Sequence, residues 1–147
     1  MPNKKRLRLS LRRDEALRAT RVSIGKQKLV YVLIADKRLQ YDKGKSRIVY
    51  IGTTKTGVKR VVHSVASRAE TILSLRGVRT FHARIVTCKA RQNVKTWHKL
   101  ERALLIDFRR QFGEVPRCNS HGKKFTEVDE FEYFTRKGAR NIIEELS

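Results

Sequence analysis

The stretch Lys28–Arg68 constrains this chain most, because two apolar segments, Leu29–Ala35 and Ile48–Ile51, are followed by an apolar stripe of helical spacing. Each segment carries one tyrosine, Tyr31 and Tyr50. The second runs into Gly52 and a Thr-Thr-Lys-Thr-Gly linker, after which Val58, Val61, Val62, Val65, Ala66 and Ala69 recur at helical intervals. The order is strand, strand, helix. Leu29–Ala35 is apolar at consecutive positions, which predicts a central strand covered on both faces. Tyr31 shares a face with Leu29 and Leu33, and Tyr50 with Ile48 and Gly52. Asp42-Lys43-Gly44 supplies a turn around which the two strands close antiparallel. Gly52 permits either a tight turn or the close approach of a phosphate. On the helix, drawn over Thr56–Leu75, Arg60 and His63 fall opposite the valine stripe.

The remaining elements follow from the same patterns. Phe81–Cys88 reads as a third strand, Asn93–Phe112 as a long helix, Gly113–Lys124 as a loop, Phe125–Phe134 as a closing strand and Lys137–Leu146 as a terminal helix. Upstream, Leu11–Ala19 can form a short helix with Ser10 as N-cap and Asp14 and Glu15 near its positive end. The predicted fold class is α/β (α+β), a small antiparallel three-stranded sheet flanked by helices. With 147 residues one domain is expected, organised as a basic arm over 1–27, a core over 28–124 and an extension over 125–147 that packs on the core.

Charge narrows the partner. The formal net charge is +21, from 35 Lys and Arg against 14 Asp and Glu, far beyond what solubility requires. Residues 43–100 hold 14 Lys and Arg and one acid, Glu70, and residues 1–13 hold six basic residues and no acid. A strongly positive face and a polyanionic partner follow, with nucleic acid the leading candidate and DNA ahead of RNA. Lys37, Arg38, Lys43, Lys45 and Arg47 in the hairpin connection, with Lys59 and Arg68 on the first helix, are candidate phosphate contacts, which position a backbone without reading sequence. No run approaches the length of a membrane span, and the N-terminus lacks the apolar middle of a signal peptide. A soluble, intracellular (cytoplasmic) protein, monomeric or weakly dimeric, is expected, with Cys88 and Cys118 as reduced thiols.

Glu101 is the most informative single residue. On a helical wheel Trp97, Leu100, Leu104, Leu105, Phe108 and Phe112 form one stripe, and Glu101 falls in its middle. A carboxylate facing a core requires a partner: a cation, a metal ion or hydrogen-bond donors. A buried Glu–Arg pair is the structural alternative. One carboxylate suffices to hold magnesium, which keeps several waters and borrows phosphate oxygens. Cys118-Asn-Ser-His121 has ligand-like spacing but lacks the second close pair of a structural zinc motif.

A tyrosine in a first strand followed by Tyr-Ile-Gly closing a second resembles the GIY-YIG nucleases. In this chain the two halves are Leu29-Val30-Tyr31 and Tyr50-Ile51-Gly52, with Arg60 after them, Glu101 on a later helix and Asn119 beyond that helix. The five features stand in order over residues 28–120, although Leu29 replaces the first glycine and Ser64 stands where many members have histidine or tyrosine, with His63 one residue short. The resemblance implies a metal-dependent endonuclease that hydrolyses DNA phosphodiester bonds and leaves a 5′ phosphate and a 3′ hydroxyl. It implies Tyr31 as general base, Tyr50 as a hydrogen-bonding partner in the site, Arg60 as the group steadying phosphate charge, Glu101 as the ligand of Mg2+ (or Mn2+), and Asn119 as a supporting residue. Lys55, Gly52 and His63 are further supporting candidates. An unperturbed tyrosine has a pKa of about 10, and nearby cations are expected to lower it. The competing reading is a non-catalytic, basic nucleic-acid-binding protein, ribosome-associated or RNA-binding, in which Glu101 is a salt-bridge partner.

Overall fold

A computed structural model describes residues 5–20 and 27–147. Strands β1 (Leu29–Tyr41) and β2 (Gly44–Thr54) form an antiparallel hairpin around Asp42-Lys43. Strand β3 (Phe81–Val86) pairs antiparallel with the other side of β1, so the sheet has three strands in the order β2-β1-β3. Helix α1 (Val58–Leu73) contacts all three strands. Helix α2 (Thr96–Phe112) lies against β2 and β1, and the one-turn α3 (Glu130–Tyr133) and α4 (Arg136–Leu146) pack on α2. The result is a mixed α/β fold.

The central position of β1 is what its unbroken apolar run requires. Residues Leu29–Ala35 are each at most 4% exposed, and each large aliphatic among them stabilises the fold by about 2 kcal/mol. Both long strands outrun their apolar segments, because the hairpin end is held by Tyr41. Its buried hydroxyl donates to the Ile48 carbonyl at 2.7 Å and accepts from the Arg117 amide at 3.0 Å, while its ring meets Phe108 edge-on at 5.1 Å. Between Ile34 and Leu39 the register with β2 slips, and Asp36 turns to the β3 side, its amide bonding the Thr80 carbonyl and its carboxylate the Arg79 amide. The outer edge of β2 is covered by the loop after α2, where the Cys118 amide donates to the Val49 carbonyl at 2.8 Å. The C-terminus closes on β2 as well, Ser147 bonding Ser46 and the Arg47 amide.

Three expectations are corrected. Leu11–Ala19 is not helical: residues 5–20 contain no helix or strand, and Leu11 and Leu17 are 96% and 69% exposed. A short helix is marginal in water without a face to bury, and none is offered here. Glu15 pairs instead with Arg18 at 2.6 Å. Phe125–Phe134 is not a strand: the edge of β2 is already occupied, and Phe125, Phe131 and Phe134 pack against the core from a turn and α3. The inward face of α1 takes only part of the valine stripe: Val61 is buried and Val65 packs against the core, but Val62 is 45% exposed and Ala66 is exposed, and Ser64 and Ile72 are buried in their place. Among the described residues no helix is long and apolar enough to cross a membrane, and both cysteines are free thiols.

Candidate functional site

The hairpin register brings the two tyrosines together. Tyr31 lies opposite Gly52 and Leu33 opposite Tyr50, so the tyrosines are diagonal neighbours on one face with ring centroids 5.9 Å apart. Gly52 sits beneath both rings: a Cβ there would lie 2.5 Å from Tyr50 Cε1 and 2.8 Å from Tyr31 Cζ. The close approach that this glycine allows is to the two aromatic rings. Gly57, which starts α1, does require its conformational freedom, with φ 80° and ψ −161° in a region essentially reserved for glycine.

Helix α1 supplies the partners of the two hydroxyls. Tyr31 donates to Ser64 Oγ at 2.7 Å, and Arg68 Nη1 donates to the same oxygen at 2.7 Å. Arg68 Nη2 reaches the Tyr50 hydroxyl at 2.9 Å, and its guanidinium lies 3.9 Å from the Tyr50 ring centroid. One arginine and one serine thus tie both strands to the helix. Burial pushes the Tyr50 phenol up to about 12, the Tyr31 phenol adding to the shift and Arg68 opposing it. The expectation that surrounding cations lower the tyrosine pKa therefore fails at Tyr50, where desolvation outweighs the neighbouring charge. Tyr50 is a neutral phenol.

Glu101 approaches this cluster from α2. It is 8% exposed and makes no hydrogen bond among the described residues; His121 Nε2 is 3.7 Å from its carboxylate, beyond hydrogen-bonding distance. Burial raises the Glu101 pKa to about 7, with Arg102 opposing. The alternative, a Glu101–Arg pair, is not formed among the described residues, because Arg102 turns to Glu130 at 2.6 Å. His121 itself is held below the usual imidazole value by burial and by Arg68, so it is neutral at neutral pH and gives Glu101 no counter-charge. The imidazole also meets Tyr50 edge-on, with centroids 6.5 Å apart. Glu101, His121, Tyr50 and Tyr31 therefore form one continuous row, flanked by Ser64 and Arg68.

Asn119 positions β2 from outside. Its amide is 5% exposed, accepting from the Ile51 amide and donating to the Ile51 carbonyl, each at 2.9 Å. It thereby copies a strand neighbour for the residue between Tyr50 and Gly52.

The other sequence candidates stand outside the row. Arg60 is exposed one turn before Ser64 on the same helical row, and its side chain forms no hydrogen bond or ion pair among the described residues. Lys55, Lys59 and His63 are exposed around the start of α1. That helix begins without a capping side chain or an acid in its first turn. Lys43, in the turn, and Lys45, at the start of β2, sit at the hairpin end, about 15–25 Å from Tyr50 along the strand, with Arg47 between. Reading the sequence met Ser64 only as a departure from the family pattern, His121 only as half of an incomplete zinc motif and Arg68 only on the phosphate-binding surface, and placed none of them beside the tyrosines. The available signal was the row Arg60, Ser64, Arg68, polar at every fourth position beside an apolar stripe. Comparisons with known proteins match no family model, no curated protein and no solved structure to this chain.

Proposed function

We propose that the chain is a metal-dependent endonuclease that hydrolyses DNA phosphodiester bonds through a GIY-YIG-type site formed by Tyr31, Tyr50, Arg60 and Glu101. The observation that carries this reading is the Glu101 carboxylate, buried beside the paired tyrosines with no donor within hydrogen-bonding distance among the described residues. A solitary carboxylate whose remaining surroundings are left to water and phosphate oxygens fits Mg2+ or Mn2+. When bound, such an ion supplies positive charge to the scissile phosphate as negative charge develops on it.

The chain's own residues supply the rest. Tyr31, once it is the phenolate, takes the proton of the attacking water and becomes the neutral phenol, whose hydroxyl donates to the Ser64 oxygen that Arg68 also holds. Tyr50, a neutral phenol, donates a hydrogen bond within the site. Arg60, free of internal partners and permanently charged, reaches a phosphate oxygen from the first turn of α1. Lys55 and Lys59, around the same uncapped helix start, hold the neighbouring backbone. Asn119 keeps Ile51, and with it Tyr50 and Gly52, in register.

One observation favours a second reading, a non-catalytic nucleic-acid binder. Tyr31 and Tyr50 are only 4% and 7% exposed, and their hydroxyls are already engaged with Ser64 and Arg68. Incubating supercoiled plasmid with the protein, in magnesium or in EDTA, separates the two. The nuclease reading expects nicking in magnesium alone, lost in Glu101→Ala. Intact plasmid that shifts on a gel with both proteins would leave the binding reading standing.

A further inference from the structure

A second cluster of chemistry lies where β3 runs out and α2 begins. A cavity of about 650 Å³ opens there, within the range of ligand sites, and its lining includes Lys28, Lys89, Arg91, Thr96 and Trp97 and no acidic residue. The cavity of about 480 Å³ beside the Asn119 loop differs in this respect, since Asp42 and Glu114 line it. Only the first is uniformly positive.

Its walls combine two recognition chemistries. Trp97, the single tryptophan of the chain, is half-buried in the lining, and Lys28 Nζ stands 4.5 Å from its ring centroid. Helix α2 starts at Thr96 with no capping side chain and no acid in its first turn, which leaves its positive end open to an anion. Thr96 is 7% exposed and lines the same cavity, and its hydroxyl has no hydrogen-bond partner among the described residues. A buried, unpartnered hydroxyl is costly unless a ligand satisfies it. The opposite rim is a tight turn in which Arg91 and Val94 pair as an isolated bridge, with Asn93 left-handed at φ 59°. That turn fixes Arg91 at the edge of the cavity.

From this arrangement we infer that the cavity binds an unpaired base of single-stranded nucleic acid. The base stacks on Trp97, and its phosphate is held by Thr96, the start of α2, Lys28 and Arg91. A base inside a duplex keeps both faces stacked and cannot enter a concave pocket, whereas an unpaired one offers a π-face to any aromatic wall. The site lies beyond the tyrosine row and requires no cleavage. Its occupant is the same for DNA and RNA, because nothing in the lining reads the sugar.

Trp97 reports on its own pocket. In EDTA, where no cleavage competes, the fluorescence of the full chain is titrated with oligothymidylate, oligouridylate, blunt duplex DNA and heparin. Saturable quenching by either single strand, and not by duplex or heparin, supports the site. Gel-shift affinity for the same strand should fall about tenfold in Trp97→Leu and hold within a few-fold in Trp97→Phe, which keeps a π-face. Quenching by heparin or duplex equal to that by single strands overturns the inference, as does binding on a gel with no change in fluorescence. The wild-type titration decides the matter even if Trp97→Leu fails to fold. Plasmid nicking is read separately in magnesium, so loss of this site and loss of the nuclease reading are told apart.

Discussion

Two glutamates buried on either side of Arg102 meet opposite fates. Glu130, 1% exposed, accepts from Arg102 at 2.6 Å and from the Val128 amide at 2.8 Å. Desolvation pushes its pKa up, but Arg102 and two backbone amides outweigh it and hold the carboxyl below its usual value. Glu101, 8% exposed, has no such donors, and burial takes it up to about 7. The sequence offers the same residue type in both places, and Arg102, next to Glu101 in the chain, pairs with Glu130. Among the described residues one buried carboxylate is satisfied and the other is not, and the proposed metal role of Glu101 rests on that contrast.

The largest effect expected from breaking this contrast is on cleavage. Glu101→Gln keeps the shape and removes the charge, so metal-dependent nicking should fall about a thousandfold, some 4 kcal/mol of transition-state stabilisation. The same variant should be more stable than the parent at pH 8. Below the unfolded value near 4.5 both states of the parent hold the Glu101 proton. Between 4.5 and about 7 the unfolded chain releases it while the folded chain retains it, so stability falls as pH rises and levels off above 7. Glu101→Gln removes that decline and should gain on the order of 2 kcal/mol at pH 8. Urea midpoints of both proteins across this range test it; parallel curves would show that Glu101 has a partner in solution.

On the other side of α2, Arg102→Ala leaves Glu130 buried with its backbone donors but without a counter-charge. A cost of about 3 kcal/mol is expected, and the Arg102 bond to the Thr126 carbonyl is lost with it. Nicking per folded molecule should be unchanged. If activity falls while stability holds, the division between a structural and a functional carboxylate is wrong.

Gly52→Ala sharpens the comparison from the sheet. The added Cβ would meet Tyr50 at 2.5 Å and Tyr31 at 2.8 Å, so the rings must move, at about 2 kcal/mol. The substitution displaces both hydroxyls without removing any polar group. Its nicking rate should fall more than its melting temperature accounts for.

How much of this was legible can be argued residue by residue. The central strand was, because Leu29–Ala35 is apolar at every position and only a two-sided environment accepts that. Glu101 was, because a carboxylate inside an apolar helical stripe has nowhere else to point. The direction of α1 was not, since Val62 and Ala66 match the stripe by residue type, while the inward row runs through buried Ser64 and half-buried Arg68. A serine and an arginine turn inward there because two tyrosine hydroxyls from separate strands meet them, a long-range match that periodicity does not contain. The expected helix over 11–19 and the strand over 125–134 failed for a related reason. Their local patterns were sound, but one found no surface to cover and the other found the sheet edge occupied by Cys118 and Asn119.

The smallest expected effect lies at the junction of strand and helix. Ser64→Ala deletes the oxygen that both Tyr31 and Arg68 use. Arg68 keeps its bond to Tyr50, so only the Tyr31 phenol is left buried without a partner, at about 1 kcal/mol. If Ser64 merely braces the fold, the variant should melt slightly earlier and nick plasmid at the parental rate. If it holds the Tyr31 hydroxyl where a water is to be deprotonated, the rate should drop severalfold and its pH profile should move, while plasmid affinity stays as it was. The distinction is between a hydroxyl satisfied for stability and one aimed for chemistry, and it is the same distinction that separates Glu130 from Glu101.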